Sequence, residues 1–174
     1  MILMAKKKLS LQKTASSVST TPTGASAPVD HFSPRRKVGA KQLRIGIVWS
    51  EFNSEITKPM LKEAIAHAKK MGAQVKAVIK VPGAFETPFA AQKLLSRKDI
   101  DAVAVVGAVI KGETKHDVAI MCGITKGLIF LQLKHKKPVG LGISGPGVTW
   151  KQAKARINDY AHRSLDAAIW MSKL

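Results

Sequence analysis

Residues 101–117 read DAVAVVGAVIKGETKHD, and the fold turns on how this stretch is taken. After one Asp comes an uninterrupted run of Ala, Val and Gly, short and rich in β-branched residues. Such a run is the mark of a strand covered on both faces, as in a parallel sheet. It ends at Lys111-Gly112, and the next five positions deliver Glu113, Thr114, Lys115, His116 and Asp117. A turn out of a strand needs the glycine. It does not need that chemistry.

Outward from this strand the same alternation repeats. LRIGIVW (43–49), AQVKAVIKV (73–81) and PVGLGIS (138–144) read as three more strands around DAVAVVGAV (101–109). Helical patterns lie between them. Met60, Leu61, Ala64, Ile65, Ala68 and Met71 trace one apolar stripe at three–four spacing, and Pro59 predicts a helix start close before it. Thr87 with Pro88 predicts an N-cap and a helix over 88–97. A third helix starts within 114–118 and runs toward His135. Thr149 with Gln152 has the capping-box pattern and predicts one last helix toward Met171. Strands alternating with helices mean βαβ units, hence an α/β fold whose parallel sheet is covered by helices on both sides.

Composition bounds the function. The chain of 174 residues is one domain's worth, with 45% hydrophobic and only 5% aromatic residues. No stretch approaches the roughly 18 uncharged apolar residues of a membrane span, so no membrane partner is expected. Cys122 is the single cysteine. It excludes an intrachain disulfide and a multi-cysteine zinc site, and it fits a reducing, cytoplasmic location. Residues 1–42 are rich in Ser, Thr, Ala, Pro and Lys without periodicity, and read as a disordered basic tail ahead of a folded domain over 43–174. That tail partly resembles an organelle transit peptide, but its arginines are sparse, which favours a solubilising or weakly anion-binding role. The formal net charge of +18 is shared, with +7 in residues 1–43 and +11 in the remainder. Lysines in the folded part are scattered at helical spacing without interleaved aromatics, which favours a solvated surface there. The tail still admits a nucleic-acid partner.

Parallel sheets bind ligands beyond the carboxyl ends of their strands. Phe52 and Asn53 follow the first strand, and VPGAFETP (81–88), with Ala84, Phe85 and Glu86, follows the second. VIKGETKHD follows the third, and SGPG (144–147) the fourth. Singly, each feature has a bland explanation: a core Phe, a Glu favouring a helix dipole, a surface His, an N-cap turn at 112–114. Together they describe one site with an aromatic face, a carboxylate, backbone N–H groups able to hold an anion, and a base titrating near neutrality. Arg156 supplies a matching cation. No Ser–His–Asp set, carboxylate pair, Walker or dinucleotide spacing is present, and the chemistry the site suits is proton transfer on a phosphorylated carbonyl compound without metal or organic cofactor.

FN (52–53), VPGAFETP, DAVAVVGAVIKGETKHD, PVGLGISGPG (138–147) and QAKAR (152–156) together resemble the 6,7-dimethyl-8-ribityllumazine synthase family, the archaeal-type members most of all. The resemblance covers about residues 43–173. It implies a three-layer α/β/α sandwich on a four-stranded parallel, flavodoxin-like sheet. It implies condensation of 5-amino-6-(ribitylamino)pyrimidinedione with 3,4-dihydroxy-2-butanone 4-phosphate in riboflavin biosynthesis. By motif, Phe52 stacks on the pyrimidine beside Asn53, and Ala84, Phe85 and Glu86 hold the ribityl chain and ring. Val109, Ile110 and Lys111 present backbone to the ring edge. Gly112, Glu113 and Thr114 cradle phosphate with Arg156, and His116 moves protons. Leu141 stands where many relatives place a stacking Phe. The family's basic residue in the last helix corresponds to His162 or Arg163, with Asp166 as its acid. The resemblance also implies a homopentamer or a 60-subunit shell, with Leu141 and Arg156 facing the adjacent subunit's His116 loop. The related archaeal-type riboflavin synthase is not expected to carry VPGAFE followed by GETKHD. The competing class is an assembly-forming scaffold of this fold whose basic tail binds nucleic acid or other anionic cargo.

Overall fold

The computed structural model describes residues 42–174. Apart from Gln42, the expected tail lies outside the described residues. The elements run β1 (Arg44–Ser50), α1 (Ser54–Lys70), β2 (Gln74–Val81), α2 (Thr87–Leu95), β3 (Ala102–Ala108), α3 (His116–His135), β4 (Val139–Ser144), α4 (Trp150–Ala155) and α5 (Ile157–Met171). All four strands pair in parallel, in the order β2-β1-β3-β4. This is the flavodoxin-like order, with the sense of strand addition reversing between β1 and β3.

That reversal distributes the helices. A right-handed crossover from β1 to β2 puts α1 on one face, and the opposite steps put α2 and α3 on the other. Ile56, Met60 and Ala64 of α1 accordingly share a core with Ala161, Leu165 and Ala168 of α5, over Ile45, Ile47, Ala104 and Val106 of the sheet. Ala91 and Leu94 of α2 and Met121, Ile124 and Leu128 of α3 cover Val48, Val103 and Val105 on the other side. Every residue of β3 is buried, as the continuous apolar run predicts.

Two glycines let α5 settle on β4. A Cβ at Gly140 would overlap the carbonyl oxygen of Ser164, and one at Gly142 would lie 2.8 Å from the Tyr160 carbonyl oxygen. The alternation VGLG is therefore a groove for a helix backbone, not a weak strand.

Four local expectations change. Helix α1 starts at Ser54, so Pro59 lies inside it, past the first turn. Asn53 fixes the early start: it is left-handed (φ 62°), its carbonyl accepts from Ile56 and Thr57, and burying Ile56 and Thr57 on the sheet outweighs one missing N–H. Ile65, expected on the apolar stripe, is 40% exposed, because the buried face runs through Ile56, Thr57, Met60, Ala64 and Ala68. Thr87 is the first residue of α2 rather than its cap, with its hydroxyl donating to the Ala84 carbonyl at 2.6 Å. The single last helix is two. Thr149 and Gln152 do form a capping box on α4, but the chain leaves helical geometry at Arg156 (φ −115°, ψ 19°) before α5. No Pro or Gly marks the break, and Ala153 and Ala161 on either side of it bury in one core.

Away from the site, Arg97 donates from Nε and Nη2 to the two carboxylate oxygens of Asp99, at 2.9 and 2.7 Å. This hydrogen-bonded pairing holds Asp99 well down, from 3.8 to about 2. The stabilisation is present above the unfolded value near pH 4 and is lost as pH falls toward 2. Asp99→Asn is expected to weaken the acid dependence of unfolding between those two pH values. Parallel wild-type and variant profiles across that window would contradict it.

Candidate functional site

The carboxyl ends of β1 and β3 part at the point where strand order reverses, and a cavity of about 440 Å³ opens there. Asn53 spans the gap: its Nδ2 donates to the Ala108 carbonyl at 3.0 Å. The loops after β1 and β2 are tied by the Phe52 N–H to the Pro82 carbonyl at 2.9 Å. Gly83 N–H donates to Glu86 Oε2 at 3.0 Å, and a Cβ on Gly83 would lie 2.9 Å from that oxygen. The glycine thus allows Glu86 to fold back and close its own turn.

Of the residues singled out in the sequence, Phe52, Asn53, Ala84, Phe85, Glu86, Val109, Ile110, Gly112, Thr114 and His116 line this cavity. Phe52 and Phe85 are each 68% exposed, so neither is a core residue. Two apolar rings held at a cavity mouth form a stacking surface. Lys111 and Glu113 belong to the same loop without lining the cavity.

The start of α3 carries the electrostatics. Its N-cap, Lys115, gives no side-chain cap. Among the described residues, the backbone N–H groups of 112–117 donate to no protein acceptor. An uncapped helix N-terminus with free N–H groups favours a bound anion. His116 stands on the first turn, at the edge of that anion position. No group of three or more His, Cys, Asp or Glu suited to a metal occurs among the described residues.

The remaining candidates lie elsewhere. Leu141 and Arg163 line a second cavity, also about 440 Å³, with Cys122, Thr125 and Tyr160. Arg156 lies at the α4–α5 junction, exposed, and its guanidinium has no partner among the described residues. His162 stacks on His67 of α1, with ring centroids 4.1 Å apart, and Asp166 pairs with His67 at 2.8 Å. His162 and Asp166 thus hold α5 to α1, whereas Arg163 is the basic residue that shares a cavity with Leu141.

Ala108, Asp117 and Ile120 also line the cavity without having been singled out in the sequence, and Asp117 is the acidic one of the three. Asp117 lines the site and is only 6% exposed. An Asp in the first turn of a helix is already accounted for by the helix dipole, so its sequence position gave no sign of burial.

The model of the 6,7-dimethyl-8-ribityllumazine synthase family matches residues 42–174. The chain belongs to that family. The lumazine synthase of Metallosphaera sedula is 51% identical over 131 residues, covering 75% of this chain and 87% of the relative. The Staphylothermus marinus lumazine synthase is 51% identical over 128 residues, with 74% and 85% covered. That of Saccharolobus solfataricus is 50% identical over 129 residues, with 74% and 84% covered. These matches place the chain among enzymes of riboflavin biosynthesis, and nothing in them supports the scaffold alternative. Gly83, Asn53 and the uncapped α3 thus shape a cavity in a chain of the lumazine synthase family.

Proposed function

We propose that the cavity between β1 and β3 is where this chain condenses 5-amino-6-(ribitylamino)pyrimidinedione with 3,4-dihydroxy-2-butanone 4-phosphate. The observation that carries this is the meeting in one cavity of exposed rings, a carboxylate, an uncapped helix start and a histidine. Phe52 stacks on the pyrimidine beside Asn53, and Phe85 and Glu86 hold the ribityl chain, with Ala84 giving the loop room. Val109, Ile110 and Lys111 face the ring edge with backbone. As the amine adds to the ketone, His116 takes the proton that the nitrogen sheds and returns it to the departing hydroxyl as water. The carbon next to the new imine then gives up a proton to His116, and the electron pair expels phosphate from the following carbon into the N–H groups of Gly112, Glu113 and Thr114, where its charge is already matched. The enol left behind becomes the ketone on which the second amine closes the ring, with loss of a second water. The purified protein given both substrates should form a lumazine chromophore faster than the unaided condensation. Background-rate turnover by a folded, assembled protein would overturn the reading.

Among the described residues Arg156 has no partner, and it lines neither cavity, which suits a residue that completes a neighbour's phosphate site. Leu141 and Arg163 likewise suit the far side of a shared site, with Arg163 taking the family's basic role. Helix α3 supports assembly. It is long and apolar enough by length and composition to cross a membrane, with only 28% of its apolar window buried. Ile129, Phe130 and Leu133 are exposed along it. An apolar helix on an α/β sandwich, interrupted by Lys126 and Lys134, suits a subunit interface. The expected species is a homopentamer or a 60-subunit shell in the cytoplasm. Mass measurement in solution should give a multiple of the protomer, and a stable monomer would contradict the shared site. Arg156→Ala should raise KM for the phosphate substrate roughly tenfold or more, the worth of a charged hydrogen bond, with little change in kcat. Unchanged apparent affinity would remove Arg156 from the phosphate site.

A further inference from the structure

The cavity holds a buried carboxyl group that the proposed chemistry does not use. Asp117, the second residue of α3, points Oδ2 at the N–H of Gly147, 2.7 Å away. Gly147 is left-handed (φ 76°) and belongs to the loop from β4 to α4. A carboxylate this deeply buried is costly unless hydrogen-bonded, and beside a site for phosphate it also works against the ligand. Its presence calls for a compensating task, and the Gly147 contact is one.

The two loops are fastened at three points. Val109 N–H donates to the Ser144 carbonyl at 3.0 Å, and Lys111 N–H donates to the Val148 carbonyl at 2.9 Å. Between these backbone bonds sits the Asp117–Gly147 bond, the side-chain fastening among the described residues. Gly145 permits the close approach, since a Cβ there would lie 2.8 Å from the Val109 carbonyl oxygen. Without Asp117, the turn over 111–114 is held against its neighbour by one backbone bond at Lys111, and its N–H groups lose their fixed aim.

We propose that Asp117 is a positioning residue that clamps the β4–α4 loop against the turn over 111–114 and so fixes the N–H groups that receive phosphate. This rests on the phosphate role given to that turn above. The bond needs an oxygen acceptor and not a charge. Asp117→Asn therefore keeps it, whereas Asp117→Ala removes it.

The test uses the full chain in its assembled form, with two readouts. In steady-state turnover, D117A should raise KM for the phosphate-bearing substrate about tenfold, leave KM for the pyrimidine within about twofold, and be restored by D117N to within about threefold of wild type. Binding of inorganic phosphate, measured by calorimetry without turnover, should weaken about tenfold in D117A and recover in D117N. Equal rises in both KM values, equal phosphate affinity in wild type and D117A, or a D117N as impaired as D117A would each overturn the proposal. If D117A does not fold, D117S, too short to reach Gly147, takes its place. Failure of that variant to fold would make the residue structural and overturn the proposal as well. A wild type that binds phosphate but forms no lumazine would sink the proposed function alone.

Discussion

His116→Ala is expected to lower kcat about 10²-fold while leaving KM for both substrates nearly unchanged. General acid–base catalysis contributes about 10²- to 10⁴-fold, and the lower end applies because an amine and a ketone condense unaided. Proximity in the cavity survives the substitution, so the residual rate should stay above background. The geometry supports this split. His116 stands on the first turn of α3 and lines the cavity, while the proposed phosphate position is built from backbone N–H groups that alanine leaves intact. Losing the imidazole should therefore cost proton transfer and not phosphate affinity. A loss confined to KM would assign the proton work to another group.

Gly140→Ala is expected to prevent stable folding. Its Cβ would occupy the space of the Ser164 carbonyl oxygen in α5, and backbone cannot rotate away as a side chain can. Relief requires α5 to lift off β4, which uncovers Leu165 and Ala168, both fully buried. Overpacking a core costs about 1–3 kcal/mol, and more where backbone must move. Against the roughly 5–15 kcal/mol typical of a domain, that loss is severe. Denaturant titration should show a collapsed midpoint or insoluble protein. Gly112→Ala is the control, because a Cβ there meets nothing within 4 Å. Its stability should match wild type. Equal stability of both variants would mean that α5 yields more easily than its contact with β4 implies.

The strands and the helix layers follow from patterns that are local in sequence, whereas the order of the strands does not. DAVAVVGAV can bury on both faces only as an inner strand, and each helical stripe needs a sheet to cover. The loops after the strands were legible for the same reason. Glycine turns, an aromatic and a histidine placed directly after parallel strands have one rim to occupy, and the structure places Phe52, Glu86 and His116 there. The misread features are those decided by a partner distant in the chain. Asn53 starts α1 while its side chain reaches Ala108, so Pro59 falls inside the helix. The last helix breaks at Arg156 with no Pro or Gly beside it, so no local signal marks the junction.

The sequence by itself determined an α/β chain of the lumazine synthase family and pointed to the strand ends around GETKHD. Periodicity and turn chemistry are properties of short segments, and the family motifs are contiguous. Only the tertiary structure separated His162, stacked on His67, from Arg163, which shares a cavity with Leu141. Adjacent residues on a helix point about 100° apart, and which direction meets α1 depends on how α5 settles over Gly140 and Gly142. The structure alone also gave Asp117 its partner. Gly147 lies thirty residues away, and the bond exists because β3 and β4 are parallel neighbours whose ends bring the two loops together.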